Sequence, residues 1–347
     1  MSAHLAPAPV RVVVADDSST SRRLLVSLCD QDPGITVVGE ASDGMQAVEL
    51  TERLRPALVL MDVHMPLLDG LEATKKIMRD TPTPIIMITA GTAPSDIEAG
   101  LSAVRCGALT LLQKPVGPGL SGHVQSAERL TSMVKALAEV KVVRRRVGTT
   151  RPPAEPRGAE VMPVVAIAAS TGGPPALCDL LQHLPSNLGA PVVVVQHIVT
   201  GFLPGLVEWL RAEVPFHVRQ AESGQILQPG HVYLAPDDRH LEVGVGHVAR
   251  LTSAAPVAGF RPSASVLFSS LARSVGPATT AVVLTGMGQD GLEGARAVRA
   301  AGGRVLAQDE QTSAVWGMPR MVAEAGLADC VGTVQQIATA ITDYVRS

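Results

Sequence analysis

Along residues 10–116, short aliphatic runs alternate with longer stretches in which apolar side chains return every three to four positions. The runs VRVVVAD (10–16), ITVVGEA (35–41), ALVLMDV (57–63), PIIMITA (84–90) and ALTLLQK (108–114) predict short strands buried on both faces. Between them, SRRLLVSLCDQD, GMQAVELTERL, GLEATKKIMRD and PSDIEAGLSAVRCG carry helical periodicity, and a fifth helix is predicted over about 121–143. Five such β/α units imply a doubly wound, flavodoxin-like parallel sheet over 10–130. Residues 131–160 read as a helix end and a linker. The segment GTTRPPAEPRGAE (148–160) is too rich in Pro, Gly, Thr and charge to bury a core.

A second alternating series fills 161–347. VVAIAAS, PVVVVQH, ATTAVVLTG and GGRVLAQD predict strands, while PPALCDLLQHL and GLEGARAVRAAG predict helices. The stretch GHVYLAPDDRHLEVGVGHVARLT (230–252) instead alternates as antiparallel strands with turns do. A second α/β domain follows, doubly wound and mainly parallel, with one antiparallel insertion.

Composition narrows the function classes. With 46% apolar but 2% aromatic residues, the cores must be aliphatic. A net charge of −3 gives no footprint for nucleic acid. Within 161–347, 11 Arg and no Lys face 14 acidic residues, which argues against a DNA-binding output domain. No run nears the roughly 18 apolar residues of a membrane span, and the start lacks the apolar stretch of a signal peptide. Four dispersed cysteines without CxxC spacing suit reduced thiols. The expectation is a cytoplasmic protein with no membrane insertion.

Chemistry gathers at predicted strand ends. Asp16 and Asp17 follow the first strand, Asp62 ends the third, Thr89 the fourth and Lys114 the fifth. A parallel sheet puts these ends on one edge, where three carboxylates repel one another unless a hard cation such as Mg²⁺ joins them. Such a site suits an aspartate accepting a phosphoryl group, with Lys114 and Thr89 on its oxygens. The motifs ADDS, LMDVHMPLLDG, ITA and QKP resemble those of receiver domains in two-component response regulators. The resemblance implies Asp62 as phosphoacceptor, Asp16, Asp17 and Asp62 as Mg²⁺ ligands, Thr89 and Lys114 as switch contacts, and a sensor histidine kinase as phosphodonor. Receivers commonly carry Tyr or Phe three residues before the lysine; this chain has Leu111.

The second domain opens with AIAASTGGPPAL (166–177), a strand running into a helix through Ser170. Neither GxxxxGK[ST] nor GxGxxG follows this strand, which argues against a phosphate-binding loop at Ser170; a nucleotide-binding output module using the STGG and GMGQDG loops is the alternative. A helix cap and a nucleophile stay open as roles for Ser170. His197 ends the apolar strand PVVVVQH and supplies a base at the same edge, unlike His183 on a helix or His231, His240 and His247 in the insertion. Asp290, in the glycine-lined loop LTGMGQDG, is the preferred acid; Asp309, also at a strand end, is its rival. Together they make a Ser–His–Asp set in an unusual chain order.

AASTGGPPAL, VVVQHI, YLAPDDRH, FRPSASVLF, LTGMGQDG and AQDEQTSAVWGMPR resemble, in order, the catalytic domain of chemotaxis protein-glutamate methylesterases. The resemblance implies hydrolysis of γ-glutamyl methyl esters on methyl-accepting chemoreceptors with release of methanol, deamidation of receptor glutamines, and activation by phosphorylation. It places Ser170, His197 and Asp290 in the triad and lines the site with Thr171 and the Met287 backbone N–H. It implies no cofactor for the esterase. Ala168 stands where the family usually has glycine, so a tighter turn before Ser170 is expected.

Overall fold

The computed structural model describes residues 8–91, 94–138, 140 and 162–346, and the chain divides into two compact units, Met1–Arg145 and Arg146–Ser347. The linker expected over 148–160 and the last residues of the helix expected over 121–143 lie outside the described residues.

In the first unit, strands β1 (Val10–Ala15), β2 (Ile35–Ala41), β3 (Leu58–Asp62), β4 (Ile85–Thr89) and β5 (Thr110–Gln113) alternate with helices α1 (Ser19–Asp30), α2 (Gly44–Leu54), α3 (Gly70–Asp80), α4 (Pro94–Arg105) and α5 (His123–Ala138). All pairings are parallel, in the order β2-β1-β3-β4-β5. Every residue of β3 and β4 is buried, which explains runs apolar on both faces. Ser18, Asp43 and Asp69 cap the first three helices, each accepting from the backbone N–H three residues on.

The second unit contains β6 (Val164–Ala169), α6 (Gly173–His183), β7 (Val192–Gln196), α7 (Leu203–Glu213), β8 (His217–Gln220) and β9 (His231–Leu234). The hairpin strands β10 (His240–Gly244) and β11 (Val248–Thr252) follow, then α8 (Ala264–Ser274), β12 (Thr279–Val283) and α9 (Leu292–Ala300). The chain continues through β13 (Arg304–Gln308), α10 (Met318–Glu324), β14 (Cys330–Gly332) and α11 (Val334–Arg346). Seven parallel strands lie in the order β14-β13-β12-β6-β7-β9-β8, and β10 and β11 pair antiparallel beside them. The antiparallel insertion is therefore present but shorter than 230–252. Its first strand, β9, joins the main sheet in parallel between β7 and β8. Burial explains this: Val232 and Leu234 pack into one core and Tyr233 into the other.

β6 lies at the centre. Val165, Ile167 and Ala169 enter the core under α6, α7 and α11, while Val164, Ala166 and Ala168 enter the core under α8, α9 and α10. From β6 the chain first runs outward to β7, and later returns to place β12 on the other side. Strand order thus reverses beside β6, and the crevice beyond its carboxyl end is where open α/β sheets take ligands.

Candidate active site and acidic cluster

Ser170 is the first residue after β6. Ala169 pairs with Gln196, the last residue of β7, and the His197 N–H donates to the Ala169 carbonyl at 2.9 Å. Ser170 and His197 are therefore matching positions just past two hydrogen-bonded strands, whose backbones run about 5 Å apart. Gln196 ties these ends together, its Nε2 donating to the Ser170 and His197 carbonyls at 2.9 Å each. On the other flank, the Ser170 N–H donates to Thr285 O at 3.0 Å, just beyond β12. The Thr285 hydroxyl donates to Thr171 O at 2.9 Å. Gly172 turns the chain into α6 with a left-handed φ of 72°, a region that penalises a Cβ. Gly286 packs so tightly on the turn that a Cβ there would lie 2.7 Å from Ser170 Cβ. The Ser170 side chain is partly exposed and makes no hydrogen bond among the described residues.

Asp290, in the loop between β12 and α9, reaches the imidazole. Its Oδ2 lies 3.0 Å from His197 Nε2, and the two side chains are 1% and 9% exposed. The approach is close enough for an ion pair but outside hydrogen-bond alignment, so neither ring nitrogen has an aligned partner. The same carboxylate accepts from the Ser263 hydroxyl at 2.8 Å and from the N–H groups of Ala264, Ser265 and Gly291 at 2.7, 3.1 and 2.9 Å. It thereby caps α8, whose own N-cap, Ser263, makes no side-chain capping bond. Burial pushes the Asp290 carboxyl up, but His197, the Ala264 N–H and the Ser263 hydroxyl outweigh it and hold it at about 2.

The rival Asp309 is elsewhere. It follows β13, separated from β7 by β12 and β6, and its Oδ1 accepts from the Thr312 N–H at 2.9 Å in a local turn. Thr171 is buried, Met287 is partly exposed, and neither backbone N–H finds a protein acceptor among the described residues. Ala168 lies in regular register with Val195 and Val283 at 0% exposure, and its methyl joins the core under α8, α9 and α10.

In the first unit, Asp16, Asp17 and Asp62 bring carboxylate oxygens within 4.8 Å of one another. Lys114 Nζ lies 2.8 Å from Asp16 Oδ2 and 2.7 Å from Asp62 Oδ2. Asp16 also accepts from the Ser18 N–H at 2.9 Å and the Ser21 hydroxyl at 2.5 Å. Burial pushes the Asp62 carboxyl up; Lys114 opposes the shift and Asp16 adds to it. Thr89 is buried at the end of β4, and its carbonyl accepts from the Lys114 N–H at 2.7 Å. Leu111 is buried in β5 opposite Met87.

The model of the CheB methylesterase family matches residues 165–341, and that of the response regulator receiver domain matches 12–120. A Myxococcus xanthus protein named protein-glutamate methylesterase/protein-glutamine glutaminase 4 is 53% identical, over 97% of this chain and 98% of its own. This chain belongs to the CheB methylesterase family. An Anaeromyxobacter dehalogenans member, protein-glutamate methylesterase/protein-glutamine glutaminase 3, is 45% identical over 97% of this chain and 99% of its own. The crystal structure of the Thermotoga maritima CheB methylesterase catalytic domain superposes with a TM-score of 0.51 at 38% identity, covering 52% of this chain and 97% of that one.

Three contributors to this CheB-family site had no assigned role from the sequence. Gln196 stood beside His197 but read only as the end of an apolar strand. Ser263, with the N–H of Ala264, lies in FRPSASVLF and signals a helix cap, not a ligand of a distant carboxylate. Phe260, in the same stretch, stacks on His197 with ring centroids 4.2 Å apart.

Proposed function

We propose that the chain is a phosphorylation-activated esterase that hydrolyses γ-glutamyl methyl esters on chemoreceptors, working in the cytoplasm. The carrying observation is the buried His197–Asp290 pair beside Ser170, at the end of the adjoining strand. The relatives' names support both the ester substrate and a second substrate, receptor glutamine.

The serine Oγ attacks the ester carbonyl while His197 takes its proton. Asp290 lies on the Nε2 side, so Nδ1, which has no partner, is the nitrogen left for that transfer. The ionised Asp290 then stabilises the imidazolium across 3.0 Å. The free N–H groups of Thr171 and Met287 suit the developing oxyanion, where losing one donor typically costs 10²–10³ in rate. His197 returns the proton to departing methanol, and a water it activates cleaves the acyl-enzyme. With a glutamine the leaving group is ammonia and the sequence of steps is the same.

Control falls to the acidic cluster. Three carboxylates converging within 4.8 Å, with Asp62 lifted by burial and by Asp16, are a donor set that fits a hard divalent cation. Asp16, Asp17 and Asp62 would hold Mg²⁺, which would supply positive charge for phosphoryl oxygens; Asp62 is the acceptor of the group from a sensor histidine kinase. Lys114, already on Asp62, offers the protein's own positive charge to the same oxygens, and Thr89 a hydroxyl.

Methanol release from methylated receptor, with and without a small phosphodonor, tests this reading. Ser170→Ala should abolish turnover. Asp62→Ala should keep basal turnover and lose the stimulation. Undiminished methanol release by Ser170→Ala would refute the assignment.

A further inference from the structure

We infer that Phe260 is a positioning residue for His197, a π face that favours the protonated imidazole formed during acyl transfer. The inference rests on the esterase reading above and adds a residue to it. The two rings are parallel within 6°, at a centroid separation of 4.2 Å. Neither imidazole nitrogen is in an aligned hydrogen bond; the ring meets Phe260 on its face and Asp290 at its edge.

The geometry discriminates between charge states. A neutral imidazole on this face gains only ordinary ring–ring stacking. A cation over the same face is attracted to it. The stack therefore does more for the imidazolium than for the resting imidazole, and only interactions that strengthen along the reaction speed it.

Phe260 is held for this task. It exchanges backbone hydrogen bonds with Val257, both at 3.0 Å. The next residue, Arg261, donates to Asp238 Oδ1 at 2.8 Å through Nε and at 2.5 Å through Nη2. Three and four residues on, Ser263 and Ala264 bind the Asp290 carboxylate. One segment thus controls both the face and the edge of the imidazole. The neighbouring charged groups are Asp290 at the ring edge, Arg261 with Asp238, and Asp237, which accepts from the Gly201 N–H at 2.7 Å. Replacing Phe260 alters none of them directly.

The test uses the full chain with Phe260→Leu and Phe260→Tyr, with Phe260→Met as a second non-aromatic variant should the leucine protein not fold. Methanol release is measured across pH, and the His197 ring carbon shift is followed by NMR. His197 must be neutral to accept a proton, so losing a group that favours the cation moves the acid limb of kcat/KM to lower pH. For Phe260→Leu we expect that limb, and the NMR midpoint, to move down by roughly half a unit to one unit, with kcat falling about three- to tenfold at little change in KM. Phe260→Tyr should restore all three. A leucine variant matching wild type in midpoint and kcat, or a tyrosine variant no better than leucine, overturns the inference. A wild-type chain that releases no methanol yet shows the midpoint difference sinks the esterase reading and supports the stack.

Discussion

The Asp290 carboxylate accepts from Ser263, Ala264, Ser265 and Gly291 while facing His197, five partners for one nearly buried side chain. Its depressed pKa makes it a stability element with a defined sign. The contribution is complete above the ordinary carboxylate value of 3.8 and is lost as pH falls through about 2. The size is on the order of 2 kcal/mol. Urea unfolding of the second unit should therefore weaken steeply between about pH 4 and 2, and Asp290→Asn should flatten that slope. Asp290→Ala is expected to do more harm, because α8 loses its cap and His197 its counter-charge. An unchanged pH slope in Asp290→Asn would show that the carboxylate is not held as described.

At the scale of elements, the site is a property of strand ends and the turns that follow them. β6, β7 and β12 contribute Ser170, His197 and the loop to Asp290, and Gln196 and Thr285 lash the three ends together. The turn tolerates little bulk. A Cβ on Gly286 would lie 2.5 Å from Met318 Sδ and 2.7 Å from Ser170 Cβ. Gly286→Ala should thus displace the serine and lower kcat by about a hundredfold, the scale that a misplacement of about 1 Å produces. Near-wild-type kcat in that variant would mean the turn can yield. Most strands and helices were legible from periodicity, because burial on both faces of a parallel sheet leaves aliphatic runs. β8 and β14 were not. Each buries a single residue, Val218 and Gly332 respectively, which leaves no apolar pattern to read.

Across the whole molecule, two compact units carry different chemistry, a carboxylate cluster in one and a Ser–His–Asp set in the other. Calorimetry should separate them. Millimolar Mg²⁺ is expected to raise the melting temperature of the first unit by a few degrees, as any ligand bound only by the folded state does. It should leave the second unit's transition in place. Asp17→Asn, which removes the exposed carboxylate of the cluster, should weaken the response. A Mg²⁺ shift equal in wild type and Asp17→Asn would place the cation elsewhere.

The amino-acid pattern by itself determined the two α/β series, their parallel character and the strand ends on which Asp62, Ser170 and His197 stand, because these depend on burial periodicity within a few residues of each position. It preferred Asp290 to Asp309 for its glycine-lined loop, although each follows an aliphatic run into a polar loop. What only the tertiary structure supplies is the meeting itself: β12 lies beside β6 and carries Asp290 to the imidazole, while β13 lies one strand further out. Phe260 on the ring face, and Ser263 with the Ala264 N–H on the carboxylate, were likewise settled by packing. They come from a segment nearly thirty residues before Asp290 and more than sixty after His197. Such meetings depend on strand order and on how a loop crosses the sheet edge, which no local periodicity encodes.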